Sequence, residues 1–89
     1  MTLLNRVNEA KTLWRLLAPS CPAPDDAQLA RWLNRFTDSE MEFAIRRTGA
    51  KVRRGFLAED ATAPFRFCTG VLMSERRAAE QLHRELHAQ

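Results

Sequence analysis

Leu3, Val7, Ala10, Trp14 and Leu17 recur at alternating steps of four and three, the spacing that gathers side chains on one side of an α-helix. Polar Asn5, Asn8, Glu9 and Lys11 fall largely elsewhere, so the pattern predicts a helix over residues 2–17. The stretch Ala18-Pro19-Ser20-Cys21-Pro22-Ala23-Pro24 ends it, because prolines cannot donate to a helical ladder and bias the residue before them away from helix. A second helix is expected to start at Asp25 or Asp26, whose carboxylates suit an electropositive helix terminus. It carries Leu29, Trp32, Leu33 and Phe36 inward.

Thr37-Asp38-Ser39-Glu40 has the Thr-x-x-Glu form of a capping box and marks the start of a third helix. If that helix runs to about Arg54, then Met41, Ala44, Ile45, Thr48 and Val52 occupy roughly a 100° arc, with Gly49 softening the middle. Residues 55–61 lack a period and read as a loop. Thr62-Ala63-Pro64 reads as an N-cap with a proline in the first turn of a last helix. That helix turns Phe67, Val71, Leu72, Ala78, Ala79, Leu82 and Leu86 to the core, and a break near Ser74 would divide it. Nothing alternates with period two for long enough to argue a strand, and no internal repeat is visible. The expectation is an all-α, small bundle of four or five helices. It is read as a single helical domain over 1–89, with an N-terminal helix at 2–17, a Pro-rich linker at 18–24 and a helical core at 25–88.

Composition narrows this picture. At 89 residues the chain has interior enough for one core only. Three glycines and four prolines are too few for a disordered or all-β chain. No apolar run at the N-terminus or elsewhere reaches the length of a signal or a bilayer span, so the expectation is a protein neither secreted nor membrane-bound. Cys21 and Cys68 lie in unrelated segments without metal spacing, and read as buried reduced thiols of a cytoplasmic protein. Trp14 and Trp32 sit at core-facing positions and read as structural.

Net charge is only +3, but it is unevenly placed. Arg46, Arg47, Lys51, Arg53 and Arg54 fall within nine residues that contain no acid. On a helix they span roughly 160° on the side opposite the apolar arc, with Phe43 among them. An aromatic beside guanidinium groups is a pairing that single-strand binders use to stack bases while neutralising phosphates. Five phosphate contacts would give a log–log salt slope no steeper than about −3.5 on single strands or −4.5 on duplex. The helix macrodipole also favours cations at a helix C-terminus, so a solvated face explains the same cluster without a ligand.

Catalytic and metal chemistry find little support. His83 and His87 share a helix face but lack a third ligand or an adjacent Glu. No motif makes Cys68 a nucleophile, and Ser20, Ser39 and Ser74 are explained by capping or turns. Asp25-Asp26 and Glu59-Asp60 are adjacent in sequence and therefore diverge. No enzyme, cofactor or metal is expected.

Trp32-Leu33, Glu40 through Met41, Ala44-Ile45 with Thr48, and Phe67-Cys68-Thr69-Gly70-Val71-Leu72 follow one another in an order that resembles the C-terminal domain of DnaD-like primosomal proteins and helicase loaders. The match covers roughly residues 28–73. It departs at Phe67, where the family has Tyr, and at Glu75, where the family has Trp, in the part of the motif associated with single-stranded DNA and helicase contact. The resemblance implies a helical domain that contacts single-stranded DNA and a replicative helicase or initiator.

The functional expectation is therefore a non-catalytic nucleic-acid-binding accessory module, in DNA replication initiation or helicase loading. Arg46, Arg47, Lys51, Arg53 and Arg54 would contact phosphates of single-stranded or duplex DNA, and Phe43 and Phe67 would stack. The alternative is a small protein-interaction adapter or inhibitor of the phage or plasmid type. It would dock its basic face on an acidic protein surface and use Leu4, Leu16, Phe56 and Phe65 as anchors.

Overall fold

The computed structural model describes residues 2–88 and contains four helices: α1 (Leu3–Leu17), α2 (Asp26–Arg35), α3 (Asp38–Arg53) and α4 (Ala63–His87). The fold is all-α, with no strand among the described residues. Local chemistry starts three of the helices. The hydroxyl of Thr2 accepts from the Asn5 N–H at 3.2 Å, and the carboxylate of Asp25 accepts from the Gln28 N–H at 2.8 Å. At α3 the capping box is complete: Thr37 Oγ1 accepts from the Glu40 N–H at 3.1 Å, and Glu40 Oε1 accepts from the Thr37 N–H at 2.9 Å.

α4 starts differently from the expectation. Thr62 makes no side-chain cap, and the Asp60 carboxylate instead accepts from the N–H groups of Thr62 and Ala63 at 2.9 and 2.8 Å. Those two bonds hold the Asp60 carboxyl below its ordinary pKa.

Cross-links between helices fix their directions. α2 runs back along α1, joined to it by Lys11 with Asp26 and by Arg6 reaching the Leu33 carbonyl at 3.4 Å. α3 then runs parallel to α1, with Arg6 Nε on Asp38 at 2.8 Å near one end and Arg53 donating to the Leu17 carbonyl at 2.9 Å near the other. α4 runs antiparallel to α3, since Arg76 meets Glu40 at 3.2 Å while Cys68 lies beside the Thr48 hydroxyl. One apolar cluster joins all four, with Trp14, Leu29, Met41, Ile45, Cys68 and Leu72 almost wholly shielded. The 18–24 segment is part of this core rather than a free linker, because Ala18 and Cys21 are buried in it.

Gly49 proves to be a packing position. A Cβ there would stand 2.6 Å from the Leu17 carbonyl oxygen, so the absence of a side chain is what lets the end of α1 rest on α3.

The last helix departs most from expectation. It is unbroken through Ser74, and Ala78, Ala79, Leu82 and Leu86 are exposed instead of buried. At 25 residues α4 is about 37 Å long, and α3 begins at Asp38, close to the level of Arg76. Past Arg76 the helix has outrun its neighbour, and every described residue from Arg77 onward is exposed. The radius of gyration, 14.0 Å, accordingly exceeds the roughly 12 Å of a compact domain this size. Leu3, also expected inside, is 39% exposed at the start of α1. No helix among the described residues is long and apolar enough to cross a membrane.

Candidate nucleic-acid interface

The predicted apolar arc of α3 is buried as a unit: Met41, Ala44, Ile45, Thr48 and Val52 all face inward. At 100° per residue this leaves Arg46, Ala50, Phe43, Arg54 and Arg47 along the outward stripe, with Arg53 turned toward α1 and Lys51 toward α4. The helix remains intact through the basic stretch.

The five predicted cations do not form one uniform surface. Arg46 is held by Glu42, one turn earlier, through two guanidinium nitrogens at 3.0 and 2.8 Å. Arg53 has a nitrogen committed to the Leu17 carbonyl, where it caps the C-terminal end of α1. Arg47, Lys51 and Arg54 make no ion pair with a carboxylate among the described residues. Positive charge is therefore neutralised at one position of the five, and the free cations concentrate toward the α4 side.

Two exposed aromatic rings lie within this group. Phe43 is 43% exposed, with the Arg47 guanidinium carbon 5.6 Å from its ring centroid. Phe56 is 68% exposed, with the Lys51 ammonium 5.0 Å from its centroid. The position of Phe56 follows from the way α3 ends. Gly55 has φ +77° and donates to the Val52 carbonyl at 3.0 Å, while Phe56 donates to the Lys51 carbonyl at 2.9 Å. This is a Schellman cap, which brings the residue after the glycine back over the residue five positions earlier. Phe56, an expected anchor for a protein partner, instead lies beside Lys51, and a glycine directly after a helical run is the signal for that position.

The other predicted residues are distributed more widely. Phe67 is half-buried on α4, level with the C-terminal half of α3 in the antiparallel register, and on the opposite flank of α4 from Phe65. Phe65 is not a free anchor: it stacks on Trp32 with centroids 5.2 Å apart. Leu4 and Leu16 are exposed, but on α1.

Cys68 is buried, and desolvation pushes its thiol pKa up to about 12, with the neighbouring Thr48 hydroxyl, itself donated to the Ala44 carbonyl, opposing only weakly. At neutral pH it is a packed thiol rather than a nucleophile. His83 and His87 lie side by side, ring centroids 4.3 Å apart, on the exposed half of α4. No group of three or more His, Cys, Asp or Glu side chains is placed to hold a metal ion among the described residues.

Arg76 is a structural residue that the sequence did not single out. Its guanidinium contacts the Arg35 carbonyl and both Glu40 oxygens, and lies 5.2 Å from the Phe36 ring centroid. Hydrogen bonds from the Thr37 backbone, then from Arg76, hold the Glu40 carboxyl below its ordinary pKa. Comparison with known proteins adds nothing to these observations: no family model, curated protein or solved structure matches the chain.

Proposed function

We propose that this protein is a non-catalytic nucleic-acid-binding accessory module that contacts phosphates through the outward face of α3. The supporting observation is that Arg47, Lys51 and Arg54 carry no carboxylate partner among the described residues and lie beside two exposed aromatic rings. Binding on such a face is driven by counterion release and is largely indifferent to base sequence. Three or four phosphate contacts correspond to a log–log salt slope of about −2 to −3 on a single strand, shallower than five free cations would give.

A place in replication initiation or helicase loading is proposed on the resemblance alone. Of the residues that carry it, Trp32, Leu33, Ala44, Ile45, Thr48, Cys68 and Leu72 are buried, so the shared pattern largely describes packing. Glu40, Phe67, Thr69 and Val71 are half-buried, and Phe67 is the aromatic among them.

Titrating a fluorescent oligonucleotide at low salt tests the function. The triple variant Arg47→Glu, Lys51→Glu, Arg54→Glu is expected to lose about a hundredfold or more in affinity while retaining its melting temperature. Unchanged affinity would remove the proposal. Failure to bind any oligonucleotide, together with recovery of a defined acidic protein from nuclease-treated extract, would favour the adapter reading.

A further inference from the structure

Resting on the nucleic-acid reading above, we infer that the ligand is an unpaired strand, with Phe43 and Phe56 as two base-stacking platforms and Arg47, Lys51 and Arg54 on the phosphates around them. Phe56 is the new element of this site. It lies outside α3, yet the Gly55 cap holds it against Lys51.

The two rings share one arrangement. Each is substantially in water, and each has a cation 5–6 Å from its centroid. The exposed faces of these rings gain nothing from burial, whereas a base laid on such a face gains stacking, and the adjacent cation meets the phosphate of the same or the next nucleotide. Lys51, which carries the second platform, follows Phe43 by eight helical residues, a rise of roughly 12 Å along the axis. Paired bases in a duplex are 3.4 Å apart per strand and cover one another's faces, so rings so spaced reach two base faces only after costly unstacking. An unpaired strand presents its base faces at no such cost.

The surroundings of α3 leave its outward stripe to the ligand. α1 packs along one flank of α3 and α4 along the other, with Arg53 and Glu40 as respective bridges. A flexible strand can lie along the outward stripe and reach the cap.

The test compares three labelled ligands of equal length at low salt: a single-stranded oligothymidylate, a duplex, and a strand of abasic sites that keeps the phosphates. Wild type is expected to bind the oligothymidylate about tenfold or more tighter than either of the others. The double variant Phe43→Leu, Phe56→Leu keeps the apolar bulk but lacks π faces. It is expected to lose about tenfold per ring on oligothymidylate, to bind the abasic strand as wild type does, and to keep the same salt slope. Single Phe43→Leu and Phe56→Leu variants, checked by circular dichroism, separate the two platforms. Equal wild-type affinity for all three ligands would overturn the stacking site while leaving phosphate binding standing. A Phe56→Leu variant that binds like wild type would remove the second platform. Absence of binding to every ligand would overturn both this site and the function on which it rests.

Discussion

α3 and the C-terminal half of α4 look alike as sequence and fare differently in the fold. Each has an apolar stripe at helical spacing and charges on the other side: Met41, Ala44, Ile45, Thr48 and Val52 in α3, and Ala78, Ala79, Leu82 and Leu86 in α4. The stripe of α3 is buried, because α1 and α4 flank it and the Trp32 side of α2 closes the core. The stripe of α4 continues the line of Cys68 and Leu72 but runs past the point where α3 begins, and so stays in water. An amphipathic pattern states which face would be buried. Whether it is buried depends on a neighbour of sufficient length.

The sharpest way to break that comparison is a matched pair of truncations. Leu72→Ala is expected to cost about 2–5 kcal/mol in denaturant unfolding, since it opens a cavity in a closed core. Leu82→Ala, 57% exposed in the wild type, should stay within about 0.5 kcal/mol. Similar losses at both positions would mean that the end of α4 is covered in solution.

Next in size is the contact that seats α1 on α3. Gly49→Ala forces a methyl group against the Leu17 backbone and is expected to destabilise by about 1–3 kcal/mol, although alanine is the better helix former. A gain in stability would show that α1 sits farther away.

Gly55→Ala should cost about 1 kcal/mol, because the cap requires a left-handed backbone. The more telling result would be weaker oligonucleotide binding, since the position of Phe56 beside Lys51 depends on that cap. Wild-type affinity in this variant would detach Phe56 from the site.

The smallest effect concerns the last tether between α3 and α4. The Glu40 carboxyl has a folded pKa below its ordinary value. Its contribution is therefore complete above the ordinary carboxylate range and is lost as pH falls through the lowered folded value. Glu40→Gln should flatten the acid side of the stability profile and leave its slope near neutrality unchanged. An unaltered acid limb would show that the Thr37 and Arg76 bonds do not stabilise the folded state.

Much of the fold was legible in local chemistry. The three prolines, the Asp25 cap and the Thr37–Glu40 capping box marked boundaries that the helices respect. The apolar arc of α3 was readable to the residue, because all of its members face one closed core. The candidate surface was legible only in outline. Arg46 and Arg53 looked equivalent to Arg47 and Arg54 until Glu42 and the Leu17 carbonyl were found to engage the first two. Phe56 looked like a loop residue because a Schellman cap moves the chain in a way that no periodicity records.

The sequence by itself determined that this chain is helical, where α1, α2 and α3 begin, and that α3 has an apolar side and a basic side, since caps and periodicity act within a few residues. Only the tertiary structure decided that Arg53 is engaged by the end of α1, that Phe65 packs on Trp32, and that α4 leaves the bundle after Arg76. Those outcomes depend on which residues distant in sequence come within a few ångströms, and on how far one helix extends beside another.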